Sequence, residues 1–131
     1  MRKRILLVDD DEDDQVIFLD ALSEITGDVE CITASNGADA ITNLKTLIPA
    51  PSIIFLDLNM PFMNGFECLE QIKKDERYKK IPVIIFTTSN SRADEIRTKE
   101  MGAELFFTKT PDFKLLKSKL REILTTDFSR S

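Results

Sequence analysis

Four sets of polar residues each follow a short apolar run: the carboxylates of Asp9 and Asp10, the carboxylate of Asp57, the hydroxyl of Thr87 and the amine of Lys109. Apolar runs of this length, rich in Ile, Val and Phe, are typical of strands buried on both faces of a parallel sheet. In open sheets of this kind, chemistry collects at the carboxyl ends of the strands. We therefore expect these four sets to lie together at one edge of a sheet.

Crowded carboxylates at such an edge indicate a site for a hard divalent cation, because the cation relieves their mutual repulsion. Mg²⁺ suits the site, since it keeps several waters and accepts one or two carboxylates together with phosphate oxygens. We predict that Asp10 and Asp57 supply carboxylate ligands and that Asn59 supplies its backbone carbonyl. Asp9 is predicted to make an outer-shell or water-mediated contact.

The same groups are suited to phosphoryl transfer. With metal bound, the Asp57 carboxylate is placed to attack a phosphoryl donor in line and become an aspartyl phosphate. The Lys109 ammonium would then pair with one phosphoryl oxygen and the Thr87 hydroxyl with another. Taken singly, Thr87 also fits an ordinary β-branched strand residue, and Lys109 a surface amine. The occurrence of all four sets at strand ends favours the functional interpretation.

The acidic run 9–14 admits two further interpretations. The carboxylates of residues 12–14 are predicted to complement the dipole at the N-terminus of a helix, and a direct contribution of Asp13 and Asp14 to the site stays open. A calcium-binding loop is the other alternative, because the first, third and fifth residues of the run match its alternate positions. However, the glycine that such a loop needs is Asp14 here, its terminal glutamate is Asp20, and a strand precedes it.

The composition limits the classes of function. The chain has 131 residues and 42% hydrophobic content, enough for one domain with a sizeable core. Its net charge of -5 and its pI near 4.8 argue against nucleic-acid binding, which needs a clustered basic surface. Cys31 and Cys68 lie in apolar patterns, so we expect buried thiols and no disulfide. Without an apolar stretch of membrane-spanning length or a signal peptide, the expected protein is soluble and cytoplasmic.

Strand and helix patterns alternate five times along the chain. The predicted strands are 5–8, 29–34, the run that ends before Asp57, the run after Pro82, and 105–108. Strands separated by single helices imply right-handed crossovers and a parallel sheet. We therefore predict an α/β fold with a doubly wound, five-stranded parallel sheet. It forms one domain over residues 1–131, with a core at about 3–125 and a frayed C-terminal tail.

Helix boundaries are predicted from capping residues. Asn36, Asn64 and Asp112 are expected to begin the second, third and fifth helices, and Gly27 is expected to stop the first. The stretch 73–80 is expected to be a charged, solvated connector.

The fourth helix, over 90–101, has few apolar residues, namely Ala93, Ile96 and Met101. We therefore expect it to be weakly packed and mobile.

The motifs on these elements resemble the receiver domain of two-component response regulators, the CheY-like family. The resemblance covers nearly the whole chain. It is carried by Leu7-Val8-Asp9-Asp10, by Leu56-Asp57-Leu58-Asn59-Met60-Pro61 with Asn64-Gly65, by Phe86-Thr87, by Gly102-Ala103 and by Lys109.

The resemblance implies the flavodoxin-like strand order 2-1-3-4-5 and Mg²⁺-dependent phosphorylation of Asp57. The phosphoryl donor would be a sensor histidine kinase or a histidine phosphotransfer protein, and autodephosphorylation would follow. No enzymatic activity beyond this self-directed chemistry is expected. With no attached output domain, the expected output is binding of a downstream protein target or onward phosphotransfer.

The resemblance also assigns a signalling face to the fourth helix, fifth strand and fifth helix, through which members of the family often form homodimers. Phe106 matches the aromatic switch position of the family, and a core strand residue is an equal interpretation. The charged connector and Phe86-Thr87-Thr88-Ser89 are similar to those of single-domain regulators associated with phytochrome-type histidine kinases.

Two residues depart from the family's pattern. Thr110 follows Lys109 where the family usually has proline, and a cis Lys109–Thr110 bond would cost about 3 kcal/mol. We therefore expect this loop to differ and to hold Lys109 less rigidly. Thr88 is bulkier than the alanine common beside the switch threonine and is expected to narrow access to Asp57.

Three other functions fit the sequence less well. A haloacid-dehalogenase-type phosphatase also uses a strand-end aspartate and Mg²⁺, but it needs a second aspartate where this chain has Asn59, and length for a substrate cap. A flavin or nucleotide binder needs glycines or hydroxyls after the first strand, where these aspartates would repel phosphate. A non-phosphorylated scaffold would not need the full set of polar groups. No DNA or membrane partner is expected.

Overall fold

Five parallel strands form a single sheet in residues 3–128, the part of the chain that the computed structural model describes. The strands are β1 (Lys3–Val8), β2 (Val29–Ala34), β3 (Ile53–Leu56), β4 (Val83–Thr87) and β5 (Leu105–Thr108). The helices are α1 (Glu12–Ile25), α2 (Gly37–Thr46), α3 (Gly65–Lys74), α4 (Arg92–Glu100) and α5 (Phe113–Thr125). The strands are arranged as β2-β1-β3-β4-β5, so the predicted fold class and strand order are confirmed.

Helices cover both faces of the sheet, which explains why its strands are continuous apolar runs. Every residue of β3 and β4 is buried. On β1, Leu6 and Val8 point towards α2 and α3, whereas Ile5 and Leu7 point towards α1 and α5. Burial on both sides therefore replaces the alternation of polar and apolar residues that a half-exposed strand would show.

The α1–α5 face contains a row of aromatic rings that ends near the polar edge of the sheet. Phe18 contacts Phe55 with ring centroids 5.0 Å apart and Phe86 at 5.8 Å, and Phe86 stacks on Phe107 at 5.3 Å. Edge-on and offset rings at these separations are favourable beyond their buried area. They give the strand ends a rigid support.

Side-chain caps begin the helices largely where they were predicted. Asn36 and Asp112 accept backbone N–H groups at the starts of α2 and α5. Asn64 forms a reciprocal capping box with Glu67 at the start of α3. The C-cap of α1 is Thr26, in an extended conformation, rather than the predicted Gly27.

The predicted weak packing of α4 agrees with the structure, although its anchors differ from those expected. The helix begins two residues later than predicted, with Ser91 as its N-cap. Ala93 is exposed, and Ile96 is 47% exposed. The buried residue of α4 is Thr98, and Met101, directly after the helix, packs against the core.

The charged connector after α3 is predicted to be solvated, but the structure shows that part of it is buried. Tyr78 is buried, and its hydroxyl donates a 3.1 Å hydrogen bond to the carbonyl oxygen of Leu44 in α2. Arg77 lies over the Tyr78 ring and pairs with Asp75. A single aromatic residue in a charged stretch thus anchors the connector to the core.

The predicted frayed tail is described only in part. Phe128 packs against the α1–α5 core, a contact that the sequence did not predict, and residues 129–131 lie outside the described residues. Within residues 3–128, no helix has the length and apolar character needed to cross a membrane.

Candidate functional site

The four sets of polar residues meet at one edge of the sheet, as predicted. Asp9 and Asp10 follow β1, Asp57 follows β3, Thr87 ends β4 and Lys109 follows β5. One carboxylate oxygen from each of the three aspartates lies within 4.8 Å of the others. Four strands therefore bring together groups that are separated by up to a hundred residues in the chain.

Backbone hydrogen bonds set the positions of these residues. The N–H groups of Asp9, Asp57 and Lys109 each donate to a carbonyl oxygen of the adjacent strand, at 3.0, 3.0 and 2.6 Å. Each residue thus continues the sheet ladder by one bond after its strand ends. The side chains are held by sheet geometry rather than by flexible loops.

The loop after Asp57 turns sharply and needs a glycine at its end. The N–H of Gly65 donates to the carbonyl oxygen of Leu58 at 3.0 Å. A Cβ at position 65 would collide with the backbone of Asp57 and would lie 2.6 Å from the Leu58 Cα. The first residue of α3 therefore packs directly on the backbone that carries Asp57.

The Asp57 carboxylate is buried, and its hydrogen bonds are long. Oδ1 accepts the N–H of Asn59 at 3.4 Å, and Oδ2 lies 3.3 Å from the Lys109 ammonium. Both distances exceed the usual range for hydrogen bonds of this kind. The carboxylate therefore keeps the capacity to make stronger bonds to another group. The predicted ligand role of the Asn59 carbonyl stays a prediction.

Asp9 carries a buried oxygen without a hydrogen bond. Its Oδ1 accepts the N–H of Asp11, whereas Oδ2 lies 2.7 Å from Lys109 Nζ without hydrogen-bond geometry. Burial raises the pKa of Asp9 to about 6, against the lowering effect of Lys109. The Asp9 carboxylate lies beside two further carboxylates, one of them the exposed Asp10, and such a cluster fits an oxygen-seeking divalent cation.

Lys109 contacts three carboxylates through its ammonium group. Its ammonium lies 2.7 Å from Asp9, 2.7 Å from Asp14 and 3.3 Å from Asp57. It also lies 5.7 Å from the centroid of the Phe86 ring. Burial lowers the pKa of Lys109, but the contacts to the carboxylates outweigh this effect and raise it above its usual value. These contacts do not measure mobility, so the expectation of a less rigid Lys109 stays a prediction.

Asp14 is a site residue whose direct contribution the sequence leaves open. The carboxylates of residues 12–14 are predicted to complement the helix dipole, and the exposed Glu12 and Asp13 agree with that interpretation. Asp14, however, accepts a hydrogen bond from the Lys109 ammonium at 2.7 Å. One feature of the sequence could have indicated this contact: Asp14 lies in the first turn of α1, the helix that starts at the polar edge of the sheet.

Thr87 is fully buried, and the loop that follows it is tied to the neighbouring elements. Its hydroxyl accepts the N–H of Ser89 at 3.3 Å. The Ser89 hydroxyl donates to Asp94 of α4, and the Thr108 hydroxyl donates to the Ser89 carbonyl. Thr88 is exposed. These contacts of Ser89, which the sequence did not predict, connect the threonine to both α4 and β5.

Phe106 is partly buried between the core and an open groove. It packs against the α2–α3 core and lines a groove of about 170 Å³ together with Thr98 and Leu105. Its placement fits both a strand residue and a switch residue, so its switch role stays a prediction. In the loop between β3 and α3, the side chain of Phe62 is 90% exposed and its backbone has a φ of 66°.

Comparisons with known proteins agree with this geometry. The family model described as "Response regulator receiver domain" matches residues 5–121. The chain is 35% identical over 117 residues to response regulator Rcp1 of Synechocystis, covering 86% of this chain and 80% of that protein.

Two solved structures are similar over nearly their full length. The phosphorylated cyanobacterial phytochrome response regulator RcpA has a TM-score of 0.88 and 29% identity, with 97% of each chain covered. The Mn²⁺-bound form of Rcp1 has a TM-score of 0.86 and 32% identity, covering 95% of this chain and 96% of that one.

Proposed function

The chain belongs to the response regulator receiver domain family of two-component signalling, and we propose that Asp57 is its phosphoacceptor. The observation that carries this proposal is the placement of Asp57: a buried carboxylate with two long hydrogen bonds, beside the Lys109 ammonium and the Asp9–Asp10 pair. We propose further that the whole chain is one receiver domain. The family itself is one of signalling switches.

The proposed donor is a phosphohistidine of a sensor histidine kinase or of a histidine phosphotransfer protein. An Asp57 carboxylate oxygen attacks the phosphorus in line, and the P–N bond to the imidazole breaks. The electron pair of that bond returns to the imidazole nitrogen, which then takes up a proton. The product is an aspartyl phosphate, and attack by water on its phosphorus returns the free carboxylate and inorganic phosphate.

A bound Mg²⁺ would offset the negative charge of the carboxylates and of the phosphoryl oxygens. Asp10 and Asp57 would hold the ion with the Asn59 carbonyl, and Asp9 would contact it in the outer shell or through water. The three clustered carboxylates of Asp9, Asp10 and Asp57 support a cation here. A relative, Rcp1, has been crystallised in a Mn²⁺-bound form.

Lys109 and Thr87 are proposed to recognise the phosphoryl group. The Lys109 ammonium already lies 3.3 Å from Asp57 Oδ2, so it can pair with an added phosphoryl oxygen without a large movement. The Thr87 hydroxyl accepts a single long hydrogen bond, from the Ser89 N–H, and can donate its own hydrogen to a phosphoryl oxygen. Movement of the hydroxyl towards the phosphoryl group would pull on the loop that connects Thr87 with α4.

The proposed output is a change of the surface formed by α4, β5 and α5. This surface exposes large apolar side chains, namely Ile96, Leu105 and Leu115. Movement of α4, with Phe106 filling the vacated space, would alter that surface and select a downstream protein or a second copy of the chain. The likeness to the cyanobacterial phytochrome response regulator RcpA supports a phytochrome-type kinase as the cognate partner.

The proposal is tested by incubating the protein with acetyl phosphate and Mg²⁺, with and without EDTA, and by measuring the intact mass. We expect a Mg²⁺-dependent phosphate adduct that is absent from the Asp57→Asn variant. Asp75→Asn, in the surface connector, is the matched control and should keep the adduct. A folded wild-type protein without the adduct, or an adduct retained by Asp57→Asn, would contradict the proposal.

A further inference from the structure

Asp14 lies closer to the Lys109 ammonium than the proposed phosphoacceptor does, at 2.7 Å against 3.3 Å for Asp57. We propose that Asp14 is a positioning residue that competes with the phosphoryl group for Lys109 and thereby weakens the hold of the site on that group. The inference rests on the proposed function, because it assumes that Lys109 binds a phosphoryl oxygen.

The contacts of Lys109 favour Asp14 as its present hydrogen-bond partner. An ammonium group has three hydrogens to donate. The contact with Asp14 has both a short distance and hydrogen-bond geometry, whereas the contact with Asp9 lacks the geometry and the contact with Asp57 is long. The best hydrogen bond of Lys109 is therefore to a residue that receives no phosphoryl group.

Asp14 is also the partner that Lys109 can most easily give up. Its side chain is 30% exposed on the first turn of α1, whereas those of Asp9 and Asp57 are 1% and 7% exposed. A released Asp14 carboxylate is hydrated by solvent, but a buried carboxylate that loses its cation is not. When a phosphoryl oxygen approaches Lys109, we expect it to displace Asp14.

The charge of Asp14 opposes phosphoryl binding in two ways. Asp14 must give up its charge-assisted hydrogen bond with Lys109, and its negative charge repels a phosphoryl group that itself carries a charge of about -1.5 to -2. Neutralising Asp14 removes both effects. We therefore expect Asp14→Asn to tighten binding of a phosphoryl mimic by roughly fivefold, which is the scale of a partly exposed ion pair.

The test is the dissociation constant of beryllofluoride, a phosphoryl mimic, at saturating Mg²⁺, measured by fluorine NMR. Wild type, Asp14→Asn and Asp13→Asn are compared. Asp13 lies on the same turn with an exposed side chain and is not among the ion-pair partners of Lys109, so its loss changes the net charge equally. We expect tighter binding for Asp14→Asn and a constant within about twofold of wild type for Asp13→Asn.

Unchanged or weaker binding by Asp14→Asn would overturn the proposal, and so would equal tightening by both variants, which would indicate a general charge effect. A purely structural role for Asp14 predicts weaker binding, so the sign of the change separates the two roles. Asp14→Glu, which keeps the charge, should restore binding towards the wild-type value. If Asp14→Asn does not fold, Asp14→Ser takes its place.

Failure of the proposed function has a different signature. In that case wild type itself shows no Mg²⁺-dependent beryllofluoride signal, and Asp57→Asn behaves as wild type does. If wild type binds and Asp57→Asn does not, the phosphoacceptor assignment stands, whatever Asp14→Asn does.

Discussion

The peptide N–H of Lys109 donates a 2.6 Å hydrogen bond to the carbonyl oxygen of Thr87. The two residues proposed to contact a phosphoryl group are thus joined through the backbone of adjacent strands. Their side chains are in different situations: Lys109 has three carboxylate partners, whereas the Thr87 hydroxyl has one long bond to Ser89. Recognition of a phosphoryl group therefore requires Lys109 to exchange partners and Thr87 to rotate.

Replacing Lys109 with methionine should destabilise the metal-free protein, because three carboxylates would then face one another without their cation. Removing one partner of a buried ionic cluster leaves uncompensated charge, and we expect a loss of about 3 kcal/mol in the free energy of unfolding. Urea unfolding in EDTA measures this change. Mg²⁺ should then stabilise Lys109→Met more than it stabilises wild type, since the ammonium no longer competes for the carboxylates.

Lys117→Met is the control for this experiment. Lys117 pairs with the exposed Glu24, and its loss should change stability by less than about 1 kcal/mol, with no altered response to Mg²⁺. Equal effects of the two variants would refute the electrostatic account of the site.

The raised pKa of Asp9 predicts how the free energy of unfolding of the metal-free protein depends on pH. Because burial raises its pKa from 3.8 to about 6, the folded protein keeps a proton there that the unfolded chain has already released. Between these two values, the contribution of Asp9 to stability falls as pH rises, by about 2 to 3 kcal/mol in all. Above the folded pKa, no further change arises from this residue.

Urea unfolding in EDTA at pH values from about 4 to about 7 checks this prediction against Asp9→Asn, which cannot titrate. The stability of wild type relative to the variant should decrease as pH rises through this window. A constant difference would show that the carboxyl of Asp9 titrates normally.

Gly65→Ala should destabilise the protein by at least about 2 kcal/mol, because the new methyl group would collide with the backbone that carries Asp57. Gly27→Ala makes the same change where no atom lies within 4 Å, and its effect should stay within about 1 kcal/mol. Thermal unfolding of the two variants gives the comparison. If they lost equal stability, the close approach of α3 to the Asp57 loop would not matter.

The two thiols should be unreactive in the folded protein. Burial raises the pKa of both Cys31 and Cys68 to about 12, so little thiolate is present near neutral pH. Ellman's reagent should modify the fully buried Cys68 only as fast as the protein unfolds, and the half-buried Cys31 sooner. Rapid modification of both in native protein, at the rate seen in guanidinium, would contradict this burial.

The sequence was sufficient to predict the strands and the convergence of Asp9, Asp10, Asp57 and Lys109. Strands buried on both faces are continuous apolar runs, and a parallel sheet brings their carboxyl ends together whatever the order of the strands. Asn64 was predictable as a cap for a similar reason, because its role depends on residues within one turn.

Tyr78 and Asp14 were not predictable from the same patterns. Both belong to charged stretches, in which a solvated surface is the ordinary interpretation, and both act through contacts far away in the sequence. Tyr78 bonds to the carbonyl of Leu44, and Asp14 bonds to Lys109, 95 residues away. Spacing along one segment carries no information about such partners.

The fully buried side chain of α4 is a threonine, whereas each of the other four helices buries at least one large apolar side chain. The Thr98 hydroxyl bonds to carbonyls of its own helix, at Asp94 and Glu95, and so adds no bond to the sheet. Displacing α4 therefore exposes little apolar area, and we expect its alternative positions to differ little in free energy. When two positions differ little in free energy, a ligand with a modest preference for one of them shifts the populations.

Binding of a partner to α4 and binding of a phosphoryl group at Asp57 are linked. A partner that binds α4 must change the affinity of the Asp57 site for a phosphoryl group by the same factor as the phosphoryl group changes the affinity for the partner. Phosphorylation would then change the binding of the target, and binding of the target would change the phosphorylation equilibrium of Asp57.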